Sequence, residues 1–153
     1  RVDPARHGAA EIGDEALLLA RAAPTWVARD RAAGARAAEA AGAEILVMDD
    51  GFQNLSLEKD LSLLVVDGGY GFGNGRVMPA GPLREPVEEG LRRAGAVVLL
   101  GRDRLKLQSR LERHRPVLTA HLSPSTEARS LKGERVLAFA GIGRPEKLRD
   151  TLN

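Results

Sequence analysis

The chain has 153 residues, about one domain by the usual size prior, and is 43% apolar and 29% charged. These fractions exclude a disordered chain, and no run of 18 apolar residues is present that would span a bilayer as a helix. A formal net charge of +2 with scattered arginines argues against a basic nucleic-acid tail, and the lack of cysteine excludes disulfides and thiolate metal sites.

In chain order, Gly13-Asp14-Glu15 leads into Ala16-Leu17-Leu18-Leu19-Ala20. An Asp before such a run reads as a helix N-cap, with acid in the first turn matching the helix dipole, and Pro24 closes the helix. Thr25-Trp26-Val27-Ala28 is a short strand candidate, and residues 29–41, rich in Ala, Arg and Glu, predict a helix ending near Gly42. Glu44-Ile45-Leu46-Val47-Met48 predicts a buried strand ending in Asp49-Asp50-Gly51. Further apolar runs at 61–66, 96–100 and 117–120 predict three more strands. Strands alternating with helical segments imply a doubly wound, mostly parallel α/β sheet.

Residues 68–86 hold six Gly and three Pro in 19 positions, a long loop of the kind that is usually functional. Residues 123–133 are polar and read as a linker. Arg135-Val136-Leu137-Ala138-Phe139-Ala140 then predicts a new strand, and Gly141-Ile142-Gly143-Arg144-Pro145-Glu146 opens a helix. The expected division is therefore 1–122 as one partial α/β domain, 123–133 as linker and 134–153 as the start of a second, smaller α/β domain. The chain opens Arg1-Val2-Asp3-Pro4 without a Met and reads as a piece cut from a longer protein.

The chemistry-bearing signals are local. An apolar strand ending in Asp49-Asp50 is a layout that holds Mg²⁺ at the carboxyl edge of a parallel sheet, while Asp-Asp-Gly is equally good turn chemistry; spacing leaves both open. A phosphate-cradling G-x-x-x-x-G-K-[ST] loop is not found, since the lysines at 59, 106, 132 and 147 follow Glu, Leu, Leu and Glu. The glycine-rich stretch 69–76 fails the dinucleotide fingerprint because Arg76 stands where the last Gly belongs; a loop that lets backbone approach a ligand fits better. Arg84-Glu85 places a guanidinium suited to phosphate beside a carboxylate suited to metal, or forms a surface ion pair at a helix start. His7, His114 and His121 lack metal-ligand spacing.

Three stretches together carry a resemblance: Gly13-Asp14-Glu15-Ala16-Leu17-Leu18-Leu19-Ala20, Asp49-Asp50-Gly51-Phe52-Gln53, and Gly71-Phe72-Gly73-Asn74-Gly75-Arg76-Val77-Met78-Pro79-Ala80-Gly81-Pro82-Leu83-Arg84-Glu85-Pro86. The chain resembles the tetraacyldisaccharide 4'-kinases, and Ala140-Gly141-Ile142-Gly143-Arg144-Pro145-Glu146 is similar to the start of that family's second domain. The resemblance implies a P-loop NTPase-type α/β domain, ATP with Mg²⁺ as cofactors, and phosphorylation of the 4'-hydroxyl of an acylated glucosamine disaccharide, the lipid A precursor. It implies work at the cytoplasmic face of the bacterial inner membrane, with the membrane surface as partner and no nucleic acid. Carried over position by position, it makes Asp14 the acid/base group, Glu15 the acid beside it and Arg84 a phosphate-facing catalytic group. Asp49, Asp50 and Glu85 become metal-facing, and Gln53, Asn74 and Arg76 cofactor-binding. Ala16 departs from the more frequent Pro, and Gly69-Tyr70 from a more common charged pair. The P-loop and a downstream His expected to pair with the catalytic Asp are not among these residues, so activity is expected of a longer parent and not of the 153 residues alone. Two alternatives stand beside this: a non-catalytic lipid-disaccharide binding module, and another P-loop ATPase.

Overall fold

The structure, a computed structural model, describes residues 1–135 and 137. Apart from Arg135 and Leu137, the expected strand at 135–140 lies outside the described residues, as do the helix opening at 141–146 and nearly all of the expected second domain. The chain divides into two compact units, Arg1–Asp60 and a second running from Leu61 onward.

In the first unit a short helix α1 (Ala9–Ile12) leads into α2 (Asp14–Ala22), followed by α3 (Arg31–Ala40). Gly13, at φ 85°, stands at the N-cap of α2, so Asp14 is the first helical residue and not the cap that the sequence suggests. The physical reason is the abrupt reversal from α1 into α2, which needs a left-handed residue and therefore glycine. Asp14 and Glu15 still place two acids in the first turn, where the exposed amides favour negative charge. Asp30 caps α3, its Oδ1 accepting from the Ala33 N–H at 3.1 Å.

Two expected strands do not form among the described residues. The segment 25–28 is irregular, with the Val2 N–H donating to Thr25 C=O at 2.8 Å. The apolar run 44–48 joins no sheet among the described residues, and Ile45 is 82% and Val47 91% exposed. Composition gives both runs β propensity, but a strand exists only where a neighbour supplies partners for its amides and carbonyls.

The second unit contains the sheet. Strands β1 (Leu63–Asp67), β2 (Ala96–Leu100) and β3 (Val117–Ala120) pair in parallel in that order. The registers Leu64↔Val97↔Val117 and Val66↔Leu99 align the inward side chains. Crossovers carry α4 (Val87–Arg93) between β1 and β2, and α5 (Gln108–Leu111) between β2 and β3. Val66, Val97 and Leu99 bury against Leu91 of α4 and Leu111 of α5, with Leu64, Phe72, Val87, Leu107 and Val117 packed around them. Arg115 secures the end of α4, its guanidinium donating to the Ala94 and Arg92 carbonyls that the helix leaves unpaired.

Residues of the other parity face the opposite way, and this side stays open: Leu63 is 45%, Val65 61% and Leu118 55% exposed. The α/β class and the parallel sheet agree with the sequence reading, whereas helices cover only one face of the sheet among the described residues. The polar stretch 123–133 contains a short helix α6 (Thr126–Arg129), capped by Ser125 Oγ, which accepts from the Ala128 N–H at 3.2 Å.

Candidate functional site

Open α/β sheets bind ligands beyond the carboxyl ends of their strands, because the loops and helix starts gathered there present backbone amides. In the second unit this edge is the end of β1, and the glycine-rich loop leaves from it. Asp67 starts the loop: its Oδ1 accepts from the N–H groups of Gly69 and Tyr70 at 2.8 and 2.9 Å, folding the chain back at once. Gly68 is wedged against the neighbouring loop. Its N–H donates to Leu100 C=O and its C=O accepts from the Arg104 N–H, both at 2.9 Å. A Cβ built at Gly68 would lie 2.6 Å from the Arg102 carbonyl oxygen, so only glycine fits.

The loop then turns repeatedly. Gly71, Gly73 and Gly75 have φ of 62°, 60° and 71°, a left-handed residue at every second position. Gly73 and Gly75 donate to Tyr70 and Phe72 carbonyls at 3.3 and 3.0 Å. Asn74 follows with both ends of its amide in use: Nδ2 donates to Ala80 C=O at 2.8 Å, and Oδ1 accepts from the Arg76 N–H at 3.1 Å. The Leu83 N–H donates to Arg76 C=O at 3.2 Å, and the Met78 N–H to Leu83 C=O at 2.9 Å, beside the parallel bridge Val77↔Leu83. The Met78–Pro79 peptide bond is cis. Arg84 leaves this closed loop exposed, and Glu85 is engaged by the Arg93 guanidinium of α4.

Between the loop and the 103–110 segment lies a cleft of about 480 Å³, lined by Tyr70, Phe72, Val77, Leu105 and Leu107 and by the charged Glu88 and Arg110. Asp103 anchors its far wall. The Leu107 and Gln108 N–H groups donate to its Oδ1 and Oδ2 at 2.8 and 3.0 Å. These bonds, Gln108 first and then Leu107, hold its carboxyl below the ordinary Asp range.

The remaining expected residues lie in the first unit. Asp14 and Glu15 are exposed at the start of α2, and Asp14 Oδ1 accepts from the Glu15 N–H at 3.1 Å. Asp49, Asp50 and Gln53 are exposed on the turn after the apolar run, with Asp50 in the left-handed region at φ 48°. The Met48 side chain fills the space where a Cβ of Gly51 would stand, at 2.6 Å, which holds this turn tight. Among the described residues no group of three His, Asp or Glu side chains is disposed to hold a metal. The donor chemistry nevertheless suits Mg²⁺, which takes one or two carboxylates and completes its shell with water and phosphate oxygens. Asp49 and Asp50 offer those carboxylates. Glu85 fits less well, because the adjacent Arg93 cation opposes a second cation at the same carboxylate.

Sequence reasoning thus found the loop and its charged exit but not what closes it. The sequence reading makes Asn74 cofactor-binding rather than loop-closing and singles out neither Asp67 nor Gly81, although a Gly one residue before Pro82 marks a turn.

The chain is an α/β protein with a parallel sheet whose carboxyl edge carries a glycine-rich loop with guanidinium and carboxylate groups, the edge at which open α/β sheets take their ligands. Comparison with known proteins makes this specific. The model of the LpxK family, tetraacyldisaccharide-1-P 4'-kinase, matches residues 1–153, and the chain belongs to that family. It is 68% identical over 153 residues to a tetraacyldisaccharide 4'-kinase of Rhodospirillum centenum, covering 99% of this chain and 45% of the relative. Kinases of the same name from Rhodospirillum rubrum and Gluconacetobacter diazotrophicus are 61% and 63% identical, over 99% of this chain and 47% and 46% of theirs. The chain therefore spans about half the length of the curated relatives it matches. No solved structure matches it.

Proposed function

We propose that the longer protein containing this chain transfers the γ-phosphoryl group of ATP to the 4'-hydroxyl of a tetraacyldisaccharide 1-phosphate, the lipid A precursor. The observation that carries this reading is the family match over all 153 residues, supported by an ordered loop that delivers Arg84 at the carboxyl edge of the sheet. In this reading the chain forms part of a P-loop NTPase-type, doubly wound domain (1–122), joined through 123–133 to a second α/β domain beginning at 134. The lysine-bearing phosphate loop comes from elsewhere in the parent.

Asp14 takes the proton of the acceptor hydroxyl. It stands exposed in the first turn of α2 with Glu15 beside it, where a substrate hydroxyl could reach its carboxylate. Arg84 holds a transferring phosphate oxygen through its planar guanidinium. Gln53 and Arg76 face the nucleotide, and Asn74 serves that side through the loop it closes. Asp49 and Asp50 would hold Mg²⁺; Glu85, which the family resemblance also makes metal-facing, would first have to exchange its Arg93 partner. The ion, when bound, neutralises charge on the phosphates. No described helix is long and apolar enough to cross a membrane, and a peripheral position at the cytoplasmic face of the inner membrane is part of the proposal.

The test is phosphate transfer from Mg-ATP to tetraacyldisaccharide 1-phosphate by the full-length parent, followed by mass spectrometry of the lipid. Wild type should give the 4'-phosphorylated product, while Asp14→Asn and Asp50→Asn should lose turnover with unchanged melting. Lipid binding unaffected by Mg-ATP and without product would favour the binding-module alternative. Unimpaired turnover in both variants would sink the assigned roles.

A further inference from the structure

The segment 74–83 is closed by more than chain reversal. Asn74 Nδ2 holds the Ala80 carbonyl at 2.8 Å while its Oδ1 holds the Arg76 amide at 3.1 Å. A single side chain thus ties positions two and six residues ahead of it. Gly81 sits hard against this clasp: a Cβ there would fall well inside van der Waals contact of both Asn74 Oδ1 and the Arg76 carbonyl oxygen. Position 81 has no left-handed φ to explain its glycine, so the close approach alone requires it. The Arg76 carbonyl accepts from Leu83 at 3.2 Å, and Leu83 in turn accepts from Met78 at 2.9 Å. Clasp, bridge and return therefore end at Leu83, one residue before Arg84.

We propose that Asn74 is a positioning residue, not a ligand contact: with Gly81 it locks the loop so that Arg76 and Arg84 emerge at fixed places. This rests on the phosphoryl-transfer reading for the consequence at Arg84, but the clasp itself does not. The amide of Asn74 commits one N–H and its oxygen to its own loop, which fixes its orientation there. Glycines on either side at 73 and 75, both left-handed, let the chain turn the exposed Asn74 back onto its own loop. Misplacement of a phosphate clamp by about 1 Å is enough to cost about a hundredfold in turnover.

The test uses the full-length parent with Asn74→Ala, Asn74→Asp, Gly81→Ala and Arg84→Ala, singly and with Asn74→Ala and Arg84→Ala combined. Hydrogen exchange at the Arg76 and Leu83 amides reads the clasp without any need for activity. Both amides should lose protection in Asn74→Ala and Gly81→Ala while those of β2 keep theirs. In steady-state kinetics, kcat should fall about a hundredfold in both variants, with the KM for ATP within about threefold of wild type. The Asn74→Ala change should add little to Arg84→Ala, as expected of two residues acting as one unit. Asn74→Asp keeps the acceptor for Arg76 but faces Ala80 with a carboxylate, and should fall with Asn74→Ala. Unchanged exchange at Arg76 and Leu83 would overturn the clasp. A selective rise in the KM for ATP, with full additivity to Arg84→Ala, would make Asn74 a nucleotide contact instead. Loss of protection with wild-type kinetics would confine the clasp to stability and refute the positioning role. An inactive wild-type parent would defeat the phosphoryl-transfer reading while leaving the exchange result standing.

Discussion

Gly68→Ala tests how tightly the loop is set into the sheet edge. The added Cβ would stand 2.6 Å from the Arg102 carbonyl oxygen, 2.9 Å from its carbon and 3.1 Å from the Asp103 Cα. All three are backbone atoms, so no side-chain rotation relieves the contact. The two segments are held together by Gly68 N–H to Leu100 C=O and Arg104 N–H to Gly68 C=O, each 2.9 Å, and separating them loosens both. Overpacking of this kind costs about 1–3 kcal/mol, and a weakened hydrogen bond about 1 kcal/mol more. The expected loss is therefore ~2–4 kcal/mol. Gly75 is the control: its φ of 71° disfavours other residues, but nothing lies within 4 Å of a Cβ there. Gly75→Ala should cost only the ~1–2 kcal/mol of a left-handed Ala, and Gly75→Asn less. Denaturant unfolding followed by far-UV circular dichroism measures both. A Gly68→Ala variant within about 0.5 kcal/mol of wild type would refute the argument, since that is the range of a neutral surface change.

Leu99 is 1% exposed at the centre of the sheet core, and Leu99→Ala should cost about 2–5 kcal/mol in the same unfolding assay. Arg115→Ala removes the donors that close α4; amide exchange should quicken in residues 90–94, with little change in β3. Asp103 contributes through a depressed carboxyl pKa, so its stabilisation is complete above the unfolded value near 3.8 and is lost as pH falls through the lower folded value. Asp103→Asn should therefore be less stable than wild type at neutral pH, with the two melting curves converging in strong acid.

Much of the second unit was legible from the chain alone. The runs 96–100 and 117–120 are strands over the ranges their apolar content suggests, and 61–66 shifts only to Leu63–Asp67. Each is short, apolar and followed by a polar or glycine position, and each has a parallel neighbour to complete its ladder. The run 44–48 has a similar composition but no strand neighbour among the described residues, and pattern alone carries no information on partners. The cap of α2 was misplaced by one residue, because Gly13 and Asp14 both suit a helix start and only the turn out of α1 decides between them. In the candidate site, the types of residue at 84 and 85 were readable. That Glu85 is engaged by Arg93, eight residues on, and that Asn74 answers to Ala80 and Gly81 depends on how the loop returns upon itself. No local spacing rule encodes such a return.

The uncovered side of the sheet has a practical consequence. Among the described residues nothing covers Leu63, Val65 and Leu118, which present a sticky hydrocarbon slab, and dyes such as ANS should light up on the 153-residue chain. In the 153-residue chain taken alone these three positions lie away from the buried cluster, so recoding them leaves that cluster untouched. Threonine at each would keep β propensity while wetting the slab, turning a segment prone to self-adhesion into a well-behaved reagent for studying the loop by itself.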